Sequence, residues 1–140
     1  KKGVKILEAE IGNIKKDSIG KIVIATVKND IHDIGKNIVS VLLENNGFEV
    51  IDLGKDVDKD LIIETIINEK PDIVALSALM TTTMLEMKNT ISCIKEKKLP
   101  VDIMVGGAVV TPEFAESIGI YYSKDAVSAV KTARDIINKK

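Results

Sequence analysis

The chain has 140 residues, 45% apolar and 29% charged, with 20 basic against 21 acidic side chains and a formal net charge of -1. Length and composition describe one ordinary globular domain with a single core. The charge balance gives no footprint for nucleic acid or a membrane surface, no run approaches the ~20 apolar residues of a membrane span, and no secretory leader is expected. The single cysteine, Cys93, cannot close an internal disulfide, so a reducing cytoplasm is the expected compartment.

Residues 1–19 carry Val4, Leu7 and Ile11 at helical spacing and read as a linker or the tail of a preceding helical region. From residue 20 onward, strand-like and helix-like segments alternate. Ile22–Val27 is a β-branched run suited to a buried parallel strand. Ile34, Ile38 and Leu42, with Val39 and Leu43, then recur as a helical stripe that Asn46-Gly47 ends. Phe48–Leu53 reads as the second strand, and Leu61, Ile62, Ile66 and Ile67 mark a second helix that Pro71 closes. Ile73–Leu76 is the third strand, followed by a helix with Met84, Met87, Ile91 and Ile94 inward. Val101–Val105 is the fourth strand, stopping at Gly106-Gly107. Thr111-Pro112-Glu113 opens a further helix. Ile120–Tyr122 is a short fifth strand, and a last helix from about Lys124 turns Val127, Val130, Ala133 and Ile137 inward. The alternation predicts an α/β fold: a doubly wound, flavodoxin- or Rossmann-like, five-stranded parallel sheet, for which 2-1-3-4-5 is the common order. Ligands of such sheets bind beyond the carboxyl ends of the strands.

The loop after the first strand, Lys28 to Asn37, holds the chain's single histidine, His32. Asp30 stands two residues before it and Gly35 three after. An imidazole whose second nitrogen is held by a carboxylate is the usual build of a metal-ligating histidine, although a loop histidine near a helix start can also be a simple cap. Nothing in the chain completes a zinc site. If His32 binds a metal, the remaining ligands come with the metal, as in a tetrapyrrole-like cofactor.

Asp30-x-His32-x-x-Gly35, Ser77-x-Leu79 and Gly106-Gly107 follow the first, third and fourth strands in that order, and this set resembles the cobalamin-binding domain. The resemblance runs over about residues 20–138. Asp30-Ile31-His32-Asp33-Ile34-Gly35-Lys36-Asn37-Ile38-Val39 and Leu76–Thr83 look like methionine synthase and the corrinoid proteins of methyltransferase systems. The resemblance implies that His32 is the lower axial cobalt ligand of a cobalamin bound base-off, that Asp30 hydrogen-bonds it, and that Thr83 continues the relay. It places Ser77, Leu79 and Thr81 along the slot for the nucleotide tail, Gly106 and Gly107 where backbone makes room for it, and Asp125 and Ala126 at a further cofactor contact. Asn29, Ile31, Asp33 and Ile34 complete the ligand loop. Lys36 opens the first helix, either exposed or facing the cofactor's side chains.

The implied function is that of a corrinoid protein carrying a methyl group on cobalt. One partner would be a methyl-donor-specific methyltransferase and the other an acceptor methyltransferase serving a pterin or a thiol. A reductive activation protein would maintain the cobalt. Such carriers usually have a helical cap domain upstream, so residues 1–19 read as its linker or remnant and 20–140 as the cobalamin-binding domain. The chain alone is expected to be non-catalytic, with the chemistry residing in the cofactor. The alternatives are an adenosylcobalamin-dependent mutase subunit, a cobalamin-dependent sensor module and a receiver-like module without cobalamin. The acidic cluster of a receiver is not evident at the strand ends.

Overall fold

The computed structural model describes residues 18–139. The reading of residues 1–19 therefore lies, apart from Ser18 and Ile19, outside the described residues. The elements are β1 (Gly20–Thr26), α1 (Ile34–Asn45), β2 (Phe48–Asp52), α2 (Lys59–Glu69), β3 (Ile73–Ser77), α3 (Thr81–Glu96), β4 (Asp102–Gly106), α4 (Pro112–Ser117), β5 (Tyr121–Tyr122) and α5 (Ala126–Lys139). All strand pairs are parallel and the order is β2-β1-β3-β4-β5. The expected α/β architecture and strand order are those observed.

The period-two alternation of each strand feeds two cores. Ile22, Ile24, Ile73, Ala75 and Met104 face Leu43 of α1 and Ala129, Ala133 and Ile136 of α5. Val23, Ala25, Val74, Leu76, Ile103 and Val105 face Ile62 and Ile66 of α2, Met87, Ile91 and Ile94 of α3, and Ala115 of α4. Burial on both faces explains the unbroken apolar runs of β1 and β3. Each fully buried Ile or Val contributes about 1.5–3 kcal/mol relative to exposure. Local signals end the helices as read from sequence. Gly47 follows the Asn46 C-cap of α1 at φ +98°, and the Thr111 hydroxyl accepts the Phe114 N–H at 3.1 Å with Pro112 at the start of α4.

Two helices keep only part of the expected stripe: Val39 and Leu43 of α1 and Val130, Ala133 and Ile137 of α5 are buried or pack against the core, while Ile34, Ile38 and Val127 turn outward. The inward stripe of α1 is Lys36, Ser40 and Leu43, whereas Ile34 and Ile38 are 77% and 51% exposed. In α5 the inward residues are Ala129, Ala133 and Ile136, and Val127 is 74% exposed. Residues two apart on a helix point about 200° apart, so Ile34 cannot face inward with Lys36, nor Val127 with Ala129. In α2, Ile62, Ile63 and Ile66 are buried while Leu61 and Ile67 are exposed.

Candidate functional site

The loop between β1 and α1 is held by its own backbone and by the loop after β2. Asn29 sits at φ +72°, and its N–H donates to Asp56 Oδ1 at 2.8 Å. The Asp56 N–H donates to the Asp30 carbonyl at 2.9 Å, and the Thr26 hydroxyl donates to the His32 carbonyl at 3.3 Å. These contacts place the Asp30 carboxylate, fully buried, among four donors. Oδ1 accepts from His32 Nδ1 at 2.7 Å and from the His32 N–H at 3.1 Å. Oδ2 accepts from the Leu79 N–H and the Thr83 hydroxyl, both at 2.7 Å. Thr83 Oγ1 also accepts the Met80 N–H at 3.2 Å, closing one orphan donor at the start of α3. Burial pushes the Asp30 carboxyl up, but the Leu79 N–H, the Thr83 hydroxyl and His32 together outweigh it and hold the group at about 2.

An ionised carboxylate only accepts, so Nδ1 of His32 carries a proton, and in the neutral ring Nε2 holds the lone pair. The His32 side chain is 49% exposed, and Nε2 has no hydrogen-bond partner among the described residues. No group of three or more His, Cys, Asp or Glu that could hold a metal ion exists among the described residues. A metal at His32 would have to bring its other ligands with it.

Beside this loop a cavity of about 440 Å³ opens between α1, α5 and the carboxyl ends of β1, β3 and β4. Its inner part is apolar, with Ile24, Val39, Ala75, Met104 and Ala129. Ser77, Gly106, Gly107, Ser123 and Asp125 stand nearer the strand ends. Gly107, at φ +122°, is forced by its neighbours. A Cβ there would overlap the carbonyl oxygen of Ala78 and lie 2.9 Å from its carbonyl carbon. Leu79 joins the two parts of the site, since its N–H holds Asp30 while the residue lines the cavity.

The sequence-predicted residues divide accordingly. Gly35, Ser77, Leu79, Gly106, Gly107, Asp125 and Ala126 line the cavity. Asp30, His32 and Thr83 form the hydrogen-bonded relay at its edge. Asn29 is the turn residue, Asp33 is the N-cap of α1 with no side-chain cap bond, and Ile31 and Ile34 are exposed beside His32. Thr81 is exposed on the first turn of α3 and does not line this cavity. Its side chain falls outside because Thr83, two residues on, is the one turned inward.

Lys36 and Ser123 line the cavity and were not singled out as ligand residues by sequence. Lys36 is buried, and its Nζ donates to both Asp52 carboxylate oxygens, at 2.6 and 2.7 Å, and to Asn37 Oδ1 at 2.7 Å. Asp52 in turn accepts the Gly54 N–H at 2.9 Å, so the pair ties the start of α1 to the end of β2. No spacing rule links positions 36 and 52. Only the β1–β2 pairing brings them together. Removing the carboxylate strands a buried ammonium. We expect Asp52→Ala to lower unfolding stability by about 2–3 kcal/mol, below the fully buried case because Asp52 is partly exposed. A urea unfolding curve measures this, and a change within 0.5 kcal/mol, the usual surface range, would show the pair to be dispensable.

The family described as "B12 binding domain" matches residues 20–131. The chain belongs to the B12-binding domain family. It is 42% identical over 138 residues to the dimethylamine corrinoid protein 3 of Methanosarcina acetivorans, covering 96% of this chain and 65% of that protein. It is also 42% identical, over 142 residues, to the trimethylamine corrinoid protein of Methanosarcina barkeri, with coverage of 96% and 65%. Among solved structures, the methanol:cobalamin methyltransferase complex MtaBC of Methanosarcina barkeri superposes with a TM-score of 0.84 at 35% identity, covering 88% of this chain and 48% of that one. The chain thus spans about 65% of the length of these curated relatives. Membership names the cofactor of this B12-binding domain as cobalamin or a related corrinoid. Three observations fit such a group: an outward imidazole lone pair held from behind, an apolar cavity next to it, and a wall where only a glycine fits.

Proposed function

We propose that this B12-binding domain carries a corrinoid as the methyl-carrier component of a methyltransferase system. The observation that carries the reading is His32: half exposed, with Nε2 free, and with Nδ1 fixed by a buried carboxylate that the cavity-lining Leu79 also holds. His32 would ligate the cobalt, and a cofactor held this way would supply a metal centre that accepts and releases a methyl group. Asp30 orients the imidazole, and Thr83 and the Leu79 N–H keep that carboxylate ionised. The cavity would take the nucleotide tail, with Ser77, Gly106, Gly107, Asp125 and Ala126 along it. Ile31 and Ile34 would lie beneath the ring as an apolar seat. Residues 20–140 hold the cofactor, and 1–19 would lead from an upstream helical cap.

The names of its relatives support a methylamine or methanol as the donor class, which a donor-specific methyltransferase would deliver. A second methyltransferase would pass the group to a pterin or thiol, and a reductive activation protein in the cytoplasm would return oxidised cofactor to its reduced, active state. No helix among the described residues is long and apolar enough to cross a membrane.

The test is an absorption spectrum after loading with hydroxocobalamin and desalting, for the wild type and His32→Ala. The expected result is retained corrinoid with a base-off, histidine-ligated spectrum, lost or weakened at least tenfold in the variant. Identical spectra from both proteins would remove His32 from the metal. A folded wild type that retains no corrinoid would overturn the reading.

A further inference from the structure

Ser123 follows β5 at the cavity wall and is only 8% exposed. Its N–H donates to the Val105 carbonyl at 3.0 Å, which fixes the residue beside β4. The Ser123 hydroxyl has no hydrogen-bond partner among the described residues. The buried threonines differ: Thr26 donates to the His32 carbonyl, Thr83 to Asp30 and Thr90 to the Glu86 carbonyl. Ser40 also lacks a side-chain partner, but it does not line the cavity. The Ser123 oxygen lies 3.5 Å from the point a Cβ on Gly106 would occupy, so it overhangs the glycine that forms the adjoining wall.

A buried hydroxyl without a partner is a standing cost that a ligand atom can relieve. The chemistry of that atom follows from the surroundings. Of the charged groups lining the cavity, Lys124 and Asp125 are exposed and the buried Lys36 ammonium is taken up by Asp52 and Asn37, while Ser123 is buried at the edge of an interior of Ile24, Ala75, Met104 and Ala129. An anionic phosphate gains nothing by moving inward past them. A flat neutral heterocycle does gain, and one with a polar edge can meet the hydroxyl as well.

We propose that Ser123 selects among corrinoids by the edge of their lower base, favouring a base that bears a hydrogen-bonding group over one that bears only methyl groups. This rests on the reading that the cavity takes the nucleotide tail. Ser123 is a specificity residue here and touches no reacting atom. Its position is not marked by any of the three motifs, and an isolated serine before Lys124-Asp125 looks like ordinary loop sequence.

The test uses two corrinoids that differ only in the lower base, dimethylbenzimidazole or a benzimidazole with a ring hydroxyl. Equilibrium dialysis gives their dissociation constants for the wild type, Ser123→Ala and Ser123→Cys. The wild type should prefer the hydroxylated base about five- to tenfold, the ratio one net hydrogen bond gives. Ser123→Ala should bring the ratio to about 1, and Ser123→Cys, similar in shape but a weak donor, should fall between. An unchanged ratio in both variants overturns the inference. An equal loss for both corrinoids also overturns it, because the hydroxyl would then serve the ribose or phosphate they share. If the folded wild type binds neither corrinoid, the underlying cofactor reading fails, and that outcome is distinct from the other two.

Discussion

Gly107→Ala should abolish corrinoid retention and lower stability by about 4 kcal/mol or more, a large share of the 5–15 kcal/mol typical of a domain. The added methyl would overlap the Ala78 carbonyl, and the backbone at φ +122° is one that alanine rarely adopts. Relief requires β4's end to move away from the segment after β3. That movement breaks the 3.2 Å bond from the Ala78 N–H to the Gly106 carbonyl and disturbs the turn in which the Val110 N–H donates to Gly107. Both segments line the cavity, so its shape changes along with the stability. Gly54→Ala is the matched control. Gly54 also has a positive φ, +95°, but nothing lies within 4 Å of its would-be Cβ. It should cost only the backbone term, about 1–2 kcal/mol. Urea unfolding of both variants isolates the close approach by difference, and equal losses would refute the argument from contact.

Asp30→Asn should cost about 3 kcal/mol and loosen ligation at His32 by 10- to 100-fold. The carboxylate accepts from four donors, two on each oxygen. An amide has one accepting oxygen, so in either orientation its NH2 confronts a backbone N–H, of His32 or of Leu79, that cannot switch to accepting in a site closed to water. The loss should also depend on pH, with the protein free of cofactor. The Asp30 carboxyl is lowered from 3.8 to about 2 in the fold. A depressed folded value gives stability that is complete above the unfolded pKa and is lost as pH falls through the folded one. The wild-type advantage over Asp30→Asn should therefore shrink by about 2 kcal/mol between about pH 5 and pH 2. A pH-independent gap, read from urea midpoints, would contradict an ionised Asp30.

Much of this architecture was legible in the sequence because its signals are local. The runs Ile22–Val27 and Ile73–Leu76, the Asn46-Gly47 stop and the Thr111-Pro112 start each act over a few residues. The loop of Asp30, His32 and Gly35 was legible for the same reason, and the strand-end rule then placed it at the sheet's carboxyl edge. What remained hidden depends on partners distant in the chain. The first turns of α1 differ from the periodic reading because buried Lys36 pairs with Asp52, sixteen residues on, which leaves Ile34 and Ile38 outside while Val39 and Leu43 pack inward as expected. At the start of α5 Val127 lies outside because the inner face begins with Ala129, which carries less hydropathy but allows the helix to approach the sheet beside the cavity, while Val130, Ala133 and Ile137 pack inward as expected. Thr81 and Thr83 could not be separated without knowing where α3 begins. Ser123 is significant only for a partner it lacks, which no spacing can reveal.

The crossing of Asp30 to Leu79 and Thr83 spans 49 and 53 residues, and the far wall of the cavity comes from Ala126 and Ala129. Contacts so remote in the chain form late, after loop closure between parallel strands has been completed. During synthesis the histidine loop emerges early, but the chamber beside it does not exist until the last helix has left the ribosome. The cavity is thus complete only when the whole domain is available, and a nascent chain stalled before Lys124 would present its imidazole with no wall of α5 to close the space beside it.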